Sequence, residues 1–279
     1  HRDLHLSIRR QRQMCIRDRS ITENMRNRGG GIKRIILLDK TDLMEEYFQL
    51  HLTFETVDSM GANFINSCLE QIAKTLQSAA LEYDDFNEEE KQIEVVMSIL
   101  SNYVPGCIVH ASVSCPVEQL EETKDLSSQA FAEKFIKAVE VAQKETYRAV
   151  THNKGIMNGI DAVVMATGND FRAVEAAAHA YASKDGIYSS LSNAYIEDNY
   201  FFFEIKLPLA LGTVGGLTQL HPLVKWSMEL LGNPNSRTLM EVIAVAGLAQ
   251  NFAAIQSLVT SGIQPVSYTH LTLPTNREV

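Results

Sequence analysis

The order of strand and helix patterns in the first part of the chain constrains its fold more than any other feature. Strand patterns at residues 33–38 and 47–57 precede a helix pattern at 62–80, and further strands are predicted near 95–100 and 107–114. This β-β-α-β-β order lacks the regular alternation of strand and helix that doubly wound sheets require. The sequence therefore predicts a compact α+β unit with an antiparallel sheet, and not a classical Rossmann fold.

Apolar periodicity predicts the remaining elements. A helix rich in alanine and charge is expected at 127–147, a strand at 200–211, and helices at 222–231 and 237–260. The strand predicted at 200–211 has one apolar and one charged face, and Pro208 indicates a strand end or an edge strand. The last helix is apolar nearly all round, which predicts that it is buried. We expect a large mixed α/β domain after the small antiparallel one.

The block at residues 151–183, THNKGIMNGIDAVVMATGNDFRAVEAAAHAYAS, carries the strongest indication of chemistry. Turn-favouring residues surround Lys154, which predicts a loop at 152–159, and TGND at 167–170 precedes an alanine-rich helix that runs to Gly186. Both Lys154 and Asp170 are thus expected at loop-to-helix junctions. A lysine held near a carboxylate can polarise a carbonyl group.

Six further motifs accompany this block: RGGG, DSMGAN, ILSN, GTVGG, HPL and GLAQN, at 28–31, 58–63, 99–102, 212–216, 221–223 and 247–251. Together they resemble, in the same order, the class II bacterial 3-hydroxy-3-methylglutaryl-coenzyme A reductases. The resemblance implies interconversion of hydroxymethylglutaryl-CoA and mevalonate plus CoA through two hydride transfers with NADH or NADPH. It also implies a small cofactor domain without a Rossmann fold, and cytoplasmic homodimers with active sites at the subunit interface.

The resemblance assigns roles to individual residues. Lys154 and Asp170 match the catalytic lysine and aspartate, Arg148 the residue that grips the substrate carboxylate, and Asn158 the asparagine that orients the lysine. The expected cofactor contacts come from DSMGAN and, secondarily, from GTVGG: Asp58, Met60, Gly61, Asn63, Gly215 and Gly216. Asp170 is expected to hold Lys154 charged and aimed.

Each of these residues also has a purely structural interpretation. Asp170 could be a helix N-cap and Lys154 a surface lysine, while Gly61 could permit a tight turn. The glycines of GTVGG could allow close packing. His152, His179 and His221 match no zinc spacing, and no metal site is expected.

The chain ends are not expected to belong to the enzyme. Residues 1–19, HRDLHLSIRRQRQMCIRDR, match a translated transposase sequencing adapter, and VSYTHLTLPTN at 266–276 matches its complementary strand. We expect adapter-derived residues at 1–19 and 265–279, a partial cofactor domain at 20–101 and a partial catalytic domain at 102–264. A basic N-terminal arm for nucleic acid or targeting is the alternative.

Two parts of the family's catalytic set have no counterpart in the 279 residues: the glutamate of an EEPS-type motif and a C-terminal histidine. The chain is therefore expected to be an inactive fragment of the enzyme. The alternative is a non-catalytic protein that binds acyl-CoA or a dinucleotide.

Composition narrows the expected partners. The chain has 34 acidic and 25 basic residues, a net charge of −9, which argues against a nucleic-acid surface. No run of about 18 apolar residues is found, so no membrane span is expected. Between the matched ends three cysteines remain without a CxxC spacing, which suits a reducing cytoplasm. A small-molecule substrate is the expected partner.

Overall fold

A computed structural model describes residues 19–120, 126–215 and 220–262. The chain divides into two compact units between Ser101 and Asn102. Both contain helices and small antiparallel sheets, so the mixed α+β class predicted from the sequence is confirmed and neither sheet has a Rossmann arrangement.

The first unit is a β-hairpin with two helices. Its elements are α1 (Arg19–Asn27), β1 (Gly31–Asp39), β2 (Phe48–Glu55) and α2 (Ala62–Leu81). Antiparallel pairing sets Gly31 opposite Glu55 and Asp39 opposite Phe48, with a bulge between Ile32 and Arg34. The strand and helix patterns at 33–38, 47–57 and 62–80 are thereby confirmed.

The strand predicted at 95–100 is wrong, because this segment binds helix α2 and pairs with no strand. The backbone N–H of Leu100 donates to Asn66 Oδ1 at 2.9 Å, and Gln77 Nε2 donates to the carbonyl of Ile93 at 3.1 Å. Both partners are side chains of α2. The apolar residues that suggested the strand, Val96 and Ile99, are exposed.

The strand predicted at 107–114 is β3 (Ile108–Pro116), and it belongs to the second unit. In that unit β3 and β4 (Ser192–Glu197) flank the central strand β5 (Tyr200–Pro208), and all pairing is antiparallel. Pro208 ends the central strand, as one of the two sequence interpretations has it. The first unit therefore has two described strands and not the four predicted.

Strand β4 was not predicted. It joins β5 through Asp198 and Asn199, whose φ angles of 49° and 64° are those of a type I′ hairpin turn. Asp and Asn tolerate positive φ better than other side chains. This dipeptide was therefore the sequence feature that could have predicted the β4–β5 hairpin.

Five helices complete the second unit: α3 (Ser128–Lys144), α4 (Thr146–Ala166), α5 (Phe171–Ala182), α6 (Pro222–Leu230) and α7 (Ser236–Val259). Phe135 of α3 anchors their core. Its ring centroid lies 5.3 Å from that of Phe201, and 5.1 Å from those of Phe203 and Phe252. Edge and tilted contacts of this kind stabilise beyond the apolar area they bury.

Helix α7 is the one helix among the described residues that is long and apolar enough to cross a membrane. Its composition has an explanation within the fold, because Leu239, Ile243 and Ile255 are fully buried in the core of the second unit. The predicted burial holds for only part of its surface, since Val245 and Leu258 are exposed.

Two glycines bring α4 and α7 together. A Cβ added at Gly159 would lie 2.7 Å from the carbonyl oxygen of Ala246 and 2.8 Å from Gln250 Cβ. On the opposite helix, a Cβ at Gly247 would lie 2.8 Å from the Ile160 side chain. Each helix therefore presents a glycine where the other approaches, and the backbones lie closer than larger residues would permit.

The glycine contact yields a stability prediction. Gly159→Ala should lower the free energy of unfolding by about 1–3 kcal/mol, because the new methyl group must push a backbone carbonyl away. Gly155→Ala on the same helix is the matched control: a Cβ there meets nothing within 4 Å. It should raise stability by about 0.5–1 kcal/mol. Urea denaturation measures both, and equal effects would contradict the packing account.

Candidate functional site

Lys154 lies inside helix α4, so the loop predicted at 152–159 is wrong. Glu145 caps the helix, its carboxylate accepting from the backbone N–H groups of Tyr147 and Arg148 at 2.9 and 2.8 Å. Buried apolar residues then anchor one face of α4 in the core: Ile156, Met157, Ile160 and Val164. Tertiary packing of that face outweighs the weak local helix propensity.

The turn-favouring side chains of this segment are used in tertiary contacts. Asn153 is fully buried, donates to the carbonyl of Ser189 at 2.8 Å and accepts from the N–H of Leu191 at 3.0 Å. Gly159 permits the approach of α7. Asparagine and glycine thus hold a helix in place here instead of forming a turn.

Lys154 and Asn158 are exposed neighbours on one face of α4, one turn apart. Lys154 makes no hydrogen bond or ion pair with any residue that the structure describes. The same face exposes Tyr147, Val150 and Met165, and Tyr147 is 88% exposed. This surface of α4, called here the Lys154 face, is therefore solvent-accessible and apolar, with one cation and one amide at its centre.

Arg148 lies half-buried near the start of the same helix, and burial lowers the pKa of its guanidinium. The structure therefore brings Arg148, Lys154 and Asn158 onto one rigid element. A guanidinium fork can bind a carboxylate in bidentate fashion.

Asp170 is the N-cap of α5, as the structural interpretation of this residue has it. Its Oδ1 accepts from the N–H groups of Arg172 at 3.0 Å and Ala173 at 3.3 Å. The Arg172 guanidinium also forks onto both carboxylate oxygens, at 3.1 and 3.0 Å. The side-chain hydrogen bond from Arg172 is the main cause that lowers the pKa of Asp170, so this carboxylate stays ionised. The TGND junction is confirmed, although α5 ends at Ala182, before Gly186.

No hydrogen bond or ion pair joins Lys154 to Asp170 within the described chain. The last residue of α4, Ala166, lies twelve positions after Lys154, which is about 18 Å at 1.5 Å per residue. A lysine side chain cannot bridge that distance to the turn beyond. The expected contact of the two residues is therefore absent within one copy, where Arg172 pairs with Asp170.

The turn before α5 is tied to the GTVGG segment. Asn169 Oδ1 accepts from the backbone N–H of Gly212 at 2.8 Å, and Asn169 Nδ2 lies 3.4 Å from the carbonyl oxygen of Thr167. Gly215 has a φ of 99°, which L residues rarely adopt. Gly216 lies outside the described residues. Sequence analysis did not single out Asn169; its position inside TGND was the available signal.

A buried polar network lies beneath the Lys154 face. His152 is 2% exposed; its Nε2 lies 2.7 Å from Ser192 Oγ, which donates to Asn251 Oδ1 at 2.8 Å. Because the Ser192 hydrogen goes to Asn251, the ring donates through Nε2 and its buried Nδ1 has no partner in the described structure. Burial first, and then the positive charge of Arg148, lower the pKa of His152 to about 3.

In the first unit, DSMGAN forms a tight turn between β2 and α2. Gly61 is the N-cap, with a φ of 81°, and a Cβ there would lie 2.5 Å from Thr56 Cγ2. No side chain caps the helix and no acidic residue lies in its first turn. Asp58 and Met60 are half-buried, while Asn63 is exposed. The backbone N–H groups of the first turn of α2, at the positive end of the helix dipole, can therefore bind an anion.

Comparison with known proteins identifies the family. The family model described as Hydroxymethylglutaryl-coenzyme A reductase matches residues 2–270. The chain belongs to this family. It is 36% identical over 239 residues to the 3-hydroxy-3-methylglutaryl-coenzyme A reductase of Archaeoglobus fulgidus, covering 85% of this chain and 51% of the relative. It is 35% identical over 241 residues to a probable reductase of Borreliella burgdorferi, covering 86% and 53%.

A solved structure from the reductase family supports the same assignment. The class II enzyme of Streptococcus pneumoniae, bound to NADPH in open conformations, matches with a TM-score of 0.79 and 37% identity. The match covers 91% of this chain and 66% of that one. Compared with the curated reductases, this chain spans about half of their length.

The protonation state of His152 leads to a testable pH dependence. Its folded-state pKa lies below the ordinary value of 6.5, so the neutral ring contributes stability above pH 6.5 that is lost as the pH falls toward 3. His152→Gln should destabilise the chain at pH 7. Measured by urea denaturation, its stability deficit relative to wild type should shrink by up to about 1.4 kcal/mol per pH unit below pH 6.5. A deficit that is constant with pH would contradict a buried neutral histidine.

Proposed function

We propose that the enzyme to which this chain belongs is a class II hydroxymethylglutaryl-CoA reductase, interconverting hydroxymethylglutaryl-CoA and mevalonate plus CoA. The main support for the proposal is the arrangement of residues on the Lys154 face of α4. An unpaired ammonium stands there beside Asn158, on a helix fixed by Gly159 packing and by the His152 and Asn153 hydrogen bonds. Rigid placement of an exposed charge is what electrostatic catalysis requires.

Lys154 would stabilise the oxyanion that develops when hydride reaches the thioester carbon. Removing one well-placed donor to such an oxyanion costs about 10²- to 10³-fold in turnover. Asn158, one turn away, would orient the ammonium through its side-chain amide. Arg148 would bind the free carboxylate of the hydroxymethylglutaryl group, since it remains charged even where it is half-buried.

The first turn of α2 would bind the nicotinamide dinucleotide. An uncapped helix N-terminus with a left-handed glycine and no acidic side chain in its first turn fits a pyrophosphate. Asp58, Met60, Gly61 and Asn63 would form this site. From sequence, Gly215 and Gly216 of the GTVGG segment stay secondary candidates for cofactor contact. When bound, the NADH or NADPH supplies the two hydrides that take the thioester to an aldehyde and the aldehyde to an alcohol.

A second copy of the chain would complete the site. Within one copy, Lys154 lies about 18 Å along α4 from Ala166, and Asp170 follows beyond that helix end, yet the proposed reaction needs a carboxylate beside the lysine. The exposed apolar residues around Lys154 suit burial against another protein surface. In a twofold dimer, Asp170 of one copy would approach Lys154 of the other. Closed twofold symmetry is the commonest form of homo-oligomer.

We also propose that the chain is a partial enzyme with adapter-derived ends. The residues concerned, 1–19 and 265–279, lie almost entirely outside the described ranges. The lack of an EEPS-type glutamate, the shorter length relative to the curated reductases and the adapter-like ends support this reading. A non-catalytic binding protein would explain the missing glutamate but not the adapter-like strings at both ends.

The proposed compartment is the cytoplasm. Cys115 is a free thiol and the sequence has no CxxC spacing, which is the ordinary use of cysteine in a reducing environment. The substrate and the cofactor are small molecules, and no nucleic acid or membrane partner is proposed.

The role of Lys154 is tested in the product of the uninterrupted gene. Lys154→Ala should reduce the turnover number for hydroxymethylglutaryl-CoA at least about 10²-fold, because the developing oxyanion loses its cation. NAD(P)H oxidation, followed by absorbance, measures the rate. Lys144→Ala removes an exposed lysine whose partner is Glu140 on its own helix, and should keep wild-type turnover. Wild-type rates in the Lys154 variant would refute the assigned role.

The purified 279-residue chain should itself show negligible reductase activity. Two proton-transfer groups of the family have no counterpart in it, and each such group contributes about 10²- to 10⁴-fold. The same absorbance assay applies, with the uninterrupted gene product as positive control. Thioester reduction by the short chain at rates within tenfold of that control would overturn the proposal that it is a partial enzyme.

A further inference from the structure

Three buried polar side chains, one each from α4, β4 and α7, form a single hydrogen-bonded chain. His152 Nε2 lies 2.7 Å from Ser192 Oγ, and Ser192 Oγ donates to Asn251 Oδ1 at 2.8 Å. Each of the three residues is only 2% exposed. None belongs to the catalytic or cofactor set proposed above. The chain nevertheless links α7 to the residue two positions before Lys154.

This chain of hydrogen bonds has one direction, because a hydroxyl group carries a single hydrogen. Ser192 gives its hydrogen to Asn251, so His152 must donate through Nε2. Burial, and then the charge of Arg148, lower the pKa of His152 to about 3, so at pH 7 the ring is neutral and carries one hydrogen. Nδ1 has no hydrogen-bond partner among the described residues, so no described group on that side selects the tautomer. The tautomer of His152 is therefore set from α7, by Asn251.

Ser192 begins β4 at the end of a segment that other helices hold in place. Ser189 Oγ donates to the carbonyl of Gln143 in α3 at 2.9 Å. The backbone N–H of Ser189 donates to the carbonyl of Ala182 in α5, also at 2.9 Å. Neither bond involves α4. The segment that leads into β4 is therefore a fixed surface against which α4 can be set.

Helix α4 contacts this surface through two adjacent residues. Asn153 donates to the carbonyl of Ser189 and accepts from the N–H of Leu191, at 2.8 and 3.0 Å. His152 adds a second attachment, about 100° away around the helix axis. With two attachments at different angles, α4 cannot rotate about its axis without breaking one of them. Lys154 follows on the exposed side of the same turn.

We propose that Ser192 and Asn251 are positioning residues for Lys154: acting through His152, they fix the rotation of α4 and so the direction of the ammonium group. Neither residue touches substrate. Loss of either one removes the partner that holds the ring, and α4 gains freedom to turn. Misplacing a reacting group by about 1 Å can cost about 10²-fold in rate. The effect on turnover rests on the proposed reductase function, whereas the direction of the hydrogen bonds does not.

Nitrogen NMR of the 279-residue chain with isotope-labelled histidine tests that direction. The His152 signals are those that disappear in His152→Gln. Wild type at pH 7 should show a protonated Nε2 and an unprotonated Nδ1. Asn251→Leu has no acceptor for Ser192 and should give a mixture of tautomers, as should the smaller change Ser192→Ala. Ser112→Ala, at an exposed serine of β3, is the matched control and should leave the His152 signals unchanged.

Two NMR results would overturn the proposed chain of hydrogen bonds. One is a protonated Nδ1 in the wild-type ring. The other is a set of His152 signals that does not change in Asn251→Leu and Ser192→Ala.

Turnover of the uninterrupted gene product tests the positioning role. Asn251→Leu should lower kcat about 10- to 10²-fold. The KM for NAD(P)H should stay unchanged, since the proposed cofactor turn lies in the first unit. Ser192→Thr keeps the hydroxyl group and should retain most of the turnover that Ser192→Ala loses. Ile243→Val removes one buried methyl group from α7, controls for general loss of stability and should keep wild-type turnover. Wild-type turnover in Asn251→Leu, or an equal loss in Ile243→Val, would overturn the role.

A double-mutant cycle decides whether the effect passes through Lys154. In the Lys154→Ala background, Asn251→Leu should cause no further fall in kcat, because the ammonium that it would misplace is gone. A further fall as large as in the wild-type background would overturn the positioning of Lys154. If the complete wild-type protein lacked reductase activity, the proposed function would fail and the positioning role with it. The NMR result would still decide the direction of the hydrogen bonds.

Discussion

The close packing of α4 against α7 is the contact on which the rest of the second unit depends. Gly159 and Gly247 let the two backbones approach until an added methyl group would lie within 2.8 Å of its neighbour. This contact holds α4 against α7 through a segment rich in asparagine and glycine. The Lys154 face is therefore carried by a buried, rigid helix and not by a loop.

The polar network below α4 has the same consequence. His152 and Asn153 are buried side chains on the side of the helix away from solvent, and they bind Ser192, Ser189 and Leu191. Buried polar groups that are mostly satisfied specify a single arrangement, because any other would leave them unpaired. The two residues just before Lys154 thus fix the rotation of α4, and with it the direction in which the lysine points.

The sequence predicted those elements whose apolar period is strong and failed where tertiary contacts outweigh local preference. β2, α2, β5 and α7 have long regular patterns, and the structure confirms them. The segment around Lys154 contains good turn formers, yet three of them, His152, Asn153 and Gly159, make contacts with residues far along the chain. Those partners, such as Ser189 and Ala246, carry no local signal. The strand predicted at 95–100 does not form. Side chains of α2 bind the backbone of this segment in place of a neighbouring strand.

The local structure around the predicted site residues was expected in part. Lys154, Asn158 and Arg148 lie on one helix, where a loop was expected around Lys154, and Asp170 lies at the TGND junction, as expected. Asp170 was expected to hold Lys154, and the sequence left open whether one copy or two supply the pair. Within one copy, spacing along α4 keeps the two residues apart and Arg172 binds the carboxylate. Sequence spacing predicts which residues lie close together only when the secondary structure between them is predicted correctly.

The proposed dimer requires that Lys154 of one copy acts together with Asp170 of the other. Subunit complementation in the uninterrupted gene product tests it most directly: Lys154→Ala and Asp170→Ala variants are each inactivated, mixed under dissociating conditions and allowed to reassociate. Half of randomly formed dimers are mixed and each has one intact site, so about a quarter of wild-type activity should return. If both residues act from the same copy, every site in a mixed dimer lacks one of them, and the absence of recovered activity would contradict the claim.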